Sequence, residues 1–478
     1  MGGETSWQAA KRVYNVGVSK TNLGRLAALF LAILPSVGCG YTAAKKPAAT
    51  DPEIAQLAQA YPADLAAAKK AGVRLTMAQL AKTPPPASEN AAPIYLQLSQ
   101  ALQTRPLDGQ DKVLDSMAGL RMPPPYAFPM TETALGDRAD LVGLVHKAVS
   151  RTRCYFPKDW ATPNPSSLTF PEMSGLHEAV RVLTAQSLSM ANDWKPVDAV
   201  QNQALGFRIA DHAATEPTVT GYLLCVSIDT ETIVGLQKIL YQSLGDPKVA
   251  LAVQSAIAQD WHPRSLASAF AGQSAFQQGI VQYLRATGYT AFVQNWASST
   301  MVEKVPEEWR APGSQGWNEF LDANSAFMLE ESTRLVTAAD KPAPVARAAA
   351  ESVGRDMQET SRLSHLIADF SLPVSVQLPD QKAQVEAMAY ATEAGAAVLA
   401  WKASHGAYPA NLAQAMSTVP KDPFDGKPIR YRREDAGFVI YSAGPWGTYD
   451  GGTPDKEPSQ LDTAFRYPEP IYLMPAQQ

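Results

Sequence analysis

Among the chemistry-bearing side chains in this 478-residue chain are only six histidines: His146, His177, His212, His262, His365 and His405. The run His177-Glu178-Ala179-Val180-Arg181 begins like a zinc-protease helix, in which two histidines four residues apart hold one ion on one face. Arg181 stands where the second ligand belongs, so His177-Glu178 reads as a helix-surface pair. The run "RIADHAATEP" brings Asp211, His212 and Glu216 within five residues. Adjacent helical side chains point about 100° apart, so Asp211 and His212 do not converge, and a polar helix end before Pro217 is expected. Glu307-Glu308 and Glu330-Glu331 are carboxylate pairs of the kind acid–base hydrolysis uses; solvated faces are the expectation for both. No G-x-S-x-G elbow, phosphate-binding P-loop or dinucleotide fingerprint occurs. A last polar cluster, "SAGPWGTYDGGTPDKE", holds Asp450 and Asp455 among glycines at 444, 447, 451 and 452. Calcium takes six to eight oxygens from carboxylates and backbone carbonyls. Asp450 and Asp455 are therefore candidate calcium ligands, with a plain Asp-Gly-Gly turn as the alternative.

The elements that must position these residues are mostly helices. From about Asp51 to Leu372 the dominant period is 3.6 residues. Leu176, Ala179, Val180, Leu183 and Met190 form one stripe, and Glu216-Pro217 opens a long apolar run through Leu240. Asp246-Pro247 begins another helix, because proline's missing N–H costs little in a first turn. "HPRSLASAFAGQSAFQQGIVQYLRA" and "GWNEFLDANSAFMLEESTRLV" read as two more. "TPPPASENAAP" and "RMPPPYAFP" break and stiffen the connections. No fixed-period repeat is visible, although stacked helical hairpins fit. The expected class is thus mainly α, a multi-helix array of packed hairpins. It divides into an N-terminal helical region at 51–130 with proline-rich connectors and an α-helical domain at 131–375.

Composition narrows the partners. Hydrophobic residues make up 46% and charged residues 18%, which suits a globular chain rather than a disordered one. The net charge is −5, and residues 1–38 hold three net positive charges, which leaves −8 without them. No basic tract remains there, so a nucleic-acid surface is not expected. Residues Lys11 to Arg25 are basic and precede "LAALFLAILPSVGCG", an apolar stretch too short to span a bilayer, which takes roughly 20 residues. Val37-Gly38-Cys39 resembles the bacterial lipobox, in which the cysteine is lipidated and becomes the mature N-terminus. Ser36 departs from the leucine usual three before that cysteine. The resemblance implies a lipoprotein-type signal peptide at 1–38, lipidation at Cys39, a tether at 39–50 and a membrane partner through the lipid. Gly40 implies sorting to the outer membrane, facing the periplasm. Cys154 and Cys225 are the other cysteines; pairing and separate buried thiols are both open. The middle of the chain also resembles uncharacterised exported proteins of planctomycete and acidobacterial type. The residues that carry this are "ENAAPIYLQL", "RCYFPKDW", the helix around Leu176 to Leu188, and "HAATEPTVTGYLL". That likeness transfers no reaction.

The C-terminal hundred residues change character. A helix from about Asp380 to Ser404 carries a narrow stripe of Met388, Ala391, Gly395 and Val398, which lets another element approach closely. Gly406 suits a left-handed cap, and Asn411 starts a short helix. Turn dipeptides in "PKDPFDGKP" lead to two alternating runs joined by "EDAG", with Gly437 available for a positive φ. Their inward residues are Ile429, Tyr431, Phe438 and Ile440. In order, the long helix, "HGAYPANL", "DPFDGKPIRY" and "GFVIYSAGPWGTYDGG" resemble the C-terminal part of the type II secretion major pseudopilin. This implies a small α/β domain at 380–478, a helix carrying an antiparallel sheet, with a calcium loop at Asp450 and Asp455. Pseudopilins begin with a cleavable glycine and a hydrophobic helix bearing a glutamate; this chain does not, so polymerisation by that helix is not expected. The functional expectation is a non-enzymatic, lipid-anchored envelope scaffold or protein-binding module, linked to a secretion-type assembly by analogy of fold. The alternative is an exported hydrolase using carboxylates or an unrecognised metal site in the helical domain.

Overall fold

The structure, a computed structural model, describes residues 51–106, 112–119, 122–296, 305–370, 372–445 and 464–468. Cys39, Asp450 and Asp455 lie outside the described residues. Sixteen α-helices and one small antiparallel sheet are present among the described residues.

Local chemistry sets most helix starts. Asp51 caps α1 (Pro52–Lys70) by accepting the Glu53 N–H at 3.0 Å. After it come α2 (Ala92–Thr104), α3 (Val113–Ala118), α4 (Ala127–Asp137) and α5 (Ala139–Val149). Four longer helices then fold back and forth: α6 (Glu172–Asn192), α7 (Pro196–Ala214), α8 (Val219–Gln242) and α9 (Pro247–Asp260). Asp246 caps α9 and Pro247 occupies its first turn, as the dipeptide predicts. Pro217, by contrast, lies outside α8, whose cap is Thr218 accepting the Gly221 N–H at 3.0 Å. By length and composition α8 is apolar enough to cross a membrane, but most of it is buried in the body. Next come α10 (Ala267–Thr287), α11 (Tyr289–Trp296), α12 (Gln315–Ala338), α13 (Ala343–Glu359) and the short α14 (Arg362–His365).

The spine is α15 (Leu372–His405), which starts before the expected Asp380 and runs through Pro379. Leu372 and Leu378 are buried in the core shared by α1 and α10–α14, and that burial carries the helix across the proline. Farther along, Met388 to Leu399 join a second core with α3, α4 and α6–α9. One helix is therefore cemented into the helical body at both ends. Gly406 terminates it at φ 76, as a left-handed cap does, and α16 (Leu412–Ala415) follows.

The sheet has order β1-β2-β3, from β1 (Arg430–Arg433), β2 (Phe438–Tyr441) and β3 (Ala464–Tyr467), all antiparallel. Phe438, Ile440 and Ile429 are buried and Tyr431 is partly buried, in the expected faces. Val439 is also fully buried, against the expected alternation, so the central strand β2 is covered on both faces. The small-residue stripe on α15 works through Gly395, where a Cβ would lie 2.2 Å from the Phe465 ring. Gly437 does not take a positive φ. Glycine is required there because a Cβ would strike the Tyr467 carbonyl.

Candidate functional site

The helical body draws three distant stretches of the chain to one place. Asn90 receives the Tyr155 N–H on its Oδ1 at 2.9 Å and donates to the Tyr155 carbonyl at 3.2 Å. Tyr95, on α2, hydrogen bonds to His212 Nδ1 at 2.9 Å. Because His212 Nε2 faces the Arg151 carbonyl at 3.2 Å, Nε2 must carry the proton and Nδ1 accepts from the tyrosine. Burial pushes His212 down to about 4, so the ring is neutral. The first turn of α6 is pressed onto α2, where Gly175 leaves no room for a side chain beside the Tyr95 carbonyl.

At this junction Lys158 sits buried between two carboxylates. Its Nζ is 2.5 Å from Glu172 Oε1 and 3.7 Å from Glu216 Oε2, and lies 4.3 Å from the centre of the Phe170 ring. Glu172 belongs to the first turn of α6, where the helix dipole favours a carboxylate. Glu216 lies between α7 and α8; its Oε1 is buried without a hydrogen-bond partner. Desolvation pushes Glu216 up to about 7, with Lys158 opposing and Glu172 reinforcing the rise. The Cys154 thiol, nearby and buried, is pushed far above its usual range by desolvation and those same carboxylates, which makes it inert. A cleft of about 330 Å³ opens beside Lys158 and Glu172, walled by Phe156, Leu168 and Pro171 with Thr162 and Ser167 at its edge. A smaller pocket of about 10 Å³ lies against Glu216, Lys82, Tyr155 and Trp160. That volume suits a single water molecule.

Two more buried ionic groups brace the array. Arg264 grips Asp229 with two bonds of 3.1 Å, and also reaches Asp211 and the Phe207 carbonyl. Desolvation pushes Asp229 up to about 6 against the pull of Arg264. Arg181 pairs with Asp115 and with Glu178 at 3.2 Å, and desolvation pushes the neighbouring Glu231 up to about 8. Three readings of the sequence are corrected here. Glu178 is buried rather than on a helix surface, because α3 and Arg181 cover it. Glu331 is buried beside Arg334, while Glu330 and the Glu307-Glu308 pair are exposed as expected. Asp211, His212 and Glu216 indeed fail to converge, but they are not a bland polar end: each anchors a different buried contact. Lys158 was the residue that sequence reasoning missed, since nothing local marks a lysine that a fold will bury. Among the described residues no group of three or more His, Cys, Asp or Glu is placed to hold a metal. Cys154 and Cys225 are free and buried.

At the opposite end of the array two loops share an unusual device. The helices α6 and α8 both end in a Schellman cap: Lys195 N–H bonds to the Met190 carbonyl at 3.0 Å, and Gly245 N–H to the Leu240 carbonyl at 3.3 Å. The left-handed residue in each, normally glycine, is Trp194 (φ 62) in one and Leu244 (φ 51) in the other. They are the non-glycine residues with positive φ among those described, and are 93% and 86% exposed. Because α6, α7, α8 and α9 alternate in direction, both loops emerge at the same end, together with half-exposed Leu251. Compared with known proteins, the chain matches no family model, no curated protein and no solved structure.

Proposed function

We propose that this chain is a non-enzymatic scaffold or protein-binding module of the cell envelope, exported and held at the outer membrane by a lipid on Cys39. The observation that carries the binding function is the pair Trp194 and Leu244. A bulky apolar residue in the left-handed region costs roughly 1–2 kcal/mol, and full exposure returns nothing to the folded monomer. Contact with a partner protein that buries both side chains accounts for keeping them. The pilin-like reading of the C-terminal hundred residues is supported by a long helix carrying a small antiparallel sheet whose third strand is seated at Gly395, in the motif order of the pseudopilins. That spine is embedded in the helical body at both ends, which suits a fixed cap better than a polymerising subunit. The hydrolase alternative draws on the Glu172 and Glu216 carboxylates. Lys158, however, fills the space between them that a scissile bond would need.

Beads carrying the mature chain, challenged with detergent-solubilised envelope, test the proposal. The wild type should retain a protein that Trp194→Gly/Leu244→Gly loses, while the double variant melts no lower than wild type. Retention of the same proteins by both forms would remove this face from the function. Labelling with a fatty-acid analogue should tag wild type but not Cys39→Ser; equal labelling would remove the anchor.

A further inference from the structure

We propose that the cleft between α2, the segment of residues 154–171 and the first turn of α6 binds a small organic cation, a primary ammonium on a short apolar chain. Its head would rest on Glu172 and its tail against Phe156 and Leu168. The observation that carries this is the state of Glu172. The residue is only 3% exposed, and its Oε1 takes the Lys158 ammonium at 2.5 Å. Oε2 has no hydrogen-bond partner among the described residues, yet it is not sealed inside the protein, so it opens onto the cleft that Glu172 lines. A carboxylate oxygen at the floor of a cleft, itself held in a buried residue, calls for a donor from whatever enters.

The lining decides which donor. Leu96, Phe156, Pro157, Leu168 and Pro171 form apolar walls, and the polar groups gather at the floor and the edge. At the edge, Thr162 Oγ1 and Ser167 Oγ lie 3.0 Å apart and both donate to the Asn164 carbonyl, so their protons are spent and lone pairs remain. Exposed Asp159 accepts the Ala161 N–H at 3.1 Å and adds a second negative charge. Among the described residues the lining holds one cation, Lys158, whose ammonium is already shared by Glu172, Glu216 and the Thr169 carbonyl. Lys82 and Glu216 line the smaller pocket across Phe156, where Lys82 donates to the Thr215 carbonyl at 2.5 Å. The cleft itself thus sets one positive charge against two negative ones. The N-terminus of α6 would favour an anion, but two of its opening N–H groups are spent, Met173 on the Phe170 carbonyl and Gly175 on Ser99 Oγ. A cation fits this balance and an anion does not. Apolar walls above an acceptor floor suit one donor head with a hydrocarbon tail, whereas a polyol would leave hydroxyls unpaired against the walls. The volume of about 330 Å³ lies at the lower end of small-molecule sites, roughly 300–1,000 Å³.

Three probes with the same carbon tail test this by ligand-detected NMR titration of the mature full chain at neutral pH: n-pentylamine, n-pentanol and pentanoate. The amine should bind saturably and the alcohol and the acid about tenfold more weakly or worse, the loss of one charge-assisted hydrogen bond. Glu172→Gln should weaken the amine by about the same factor and leave pentanol unchanged. Leu168→Trp, which fills the cleft without touching the ion pair, should abolish binding of the amine. Trp194→Gly/Leu244→Gly, at the far end of the array, should bind it as wild type does. Should Glu172→Gln fail to fold, the probe series in wild type and Leu168→Trp decide. Amine binding no tighter than that of pentanol, a preference for pentanoate, or amine binding that survives Leu168→Trp overturns the proposal.

Discussion

Gly395→Ala sets two rules of opposite sign against each other. In an exposed helix the change should stabilise by about 1 kcal/mol, because glycine loses more backbone entropy than alanine on folding. Here the added Cβ would lie 2.2 Å from Cδ1 and 2.4 Å from Cε1 of Phe465. Ordinary contact needs more than 1 Å of further separation, and the ring has nowhere to go. It stacks on Tyr241 with centroids 5.7 Å apart, packs against Phe438 at 6.0 Å, and its backbone pairs with Ile440 in β2. Overpacking of this kind costs typically 1–3 kcal/mol. The packing term should therefore exceed the propensity term, for a net loss of roughly 1 kcal/mol or somewhat more. Urea unfolding followed by far-UV circular dichroism reads this as a lower midpoint at unchanged slope. Adding Phe465→Leu should recover part of the loss, a non-additivity expected of touching residues. If Gly395→Ala alone raises the midpoint, β3 does not rest on this helix and the account of the sheet fails.

Phe438→Ala should destabilise by about 3–5 kcal/mol, since the ring is fully buried among Tyr408, Tyr431, Phe465 and Tyr467; a change within error would show the strand faces reversed. Glu216, Glu231 and Glu331, raised to about 7, 8 and 8, give stability that is complete below their ordinary value of 4.5 and is lost as pH climbs through those raised values. His177 and His212, lowered to about 4, act oppositely: their contribution is complete above 6.5 and is lost as pH falls through 4. Thermal melts across pH should thus peak in the mildly acidic range, and a peak on the alkaline side would contradict the assigned burial. A calcium ion at Asp450 and Asp455, present at a hundred times its dissociation constant, would add about 2.7 kcal/mol. Melting curves of wild type and Asp450→Ala with calcium and with chelator measure this, and coincident curves would exclude the site.

Much of this protein was legible without coordinates because the signals are local. The stripe from Leu176 to Leu183 lies buried along α6, Asp246-Pro247 opens α9, and Gly406 closes α15, each through chemistry confined to a few neighbouring residues. The hairpin of β1 and β2 was readable for the same reason, being closed by its own turn. What the tertiary structure alone decided is long-range. Four residues, Ala464 to Tyr467, carry no strand signal of their own and become β3 only because β2 offers an edge and Gly395 a seat. Pro379 should stop a helix, but Leu372 and Leu378 gain enough by burial on the far side to continue it. Charge burial was hidden most completely. Lys158, Glu178, Glu216 and Glu331 look like any solvated lysine or glutamate, because the desolvation that makes them unusual comes from segments far away in the chain. Periodicity reports which face a helix buries; only the assembled fold determines which charges that burial encloses.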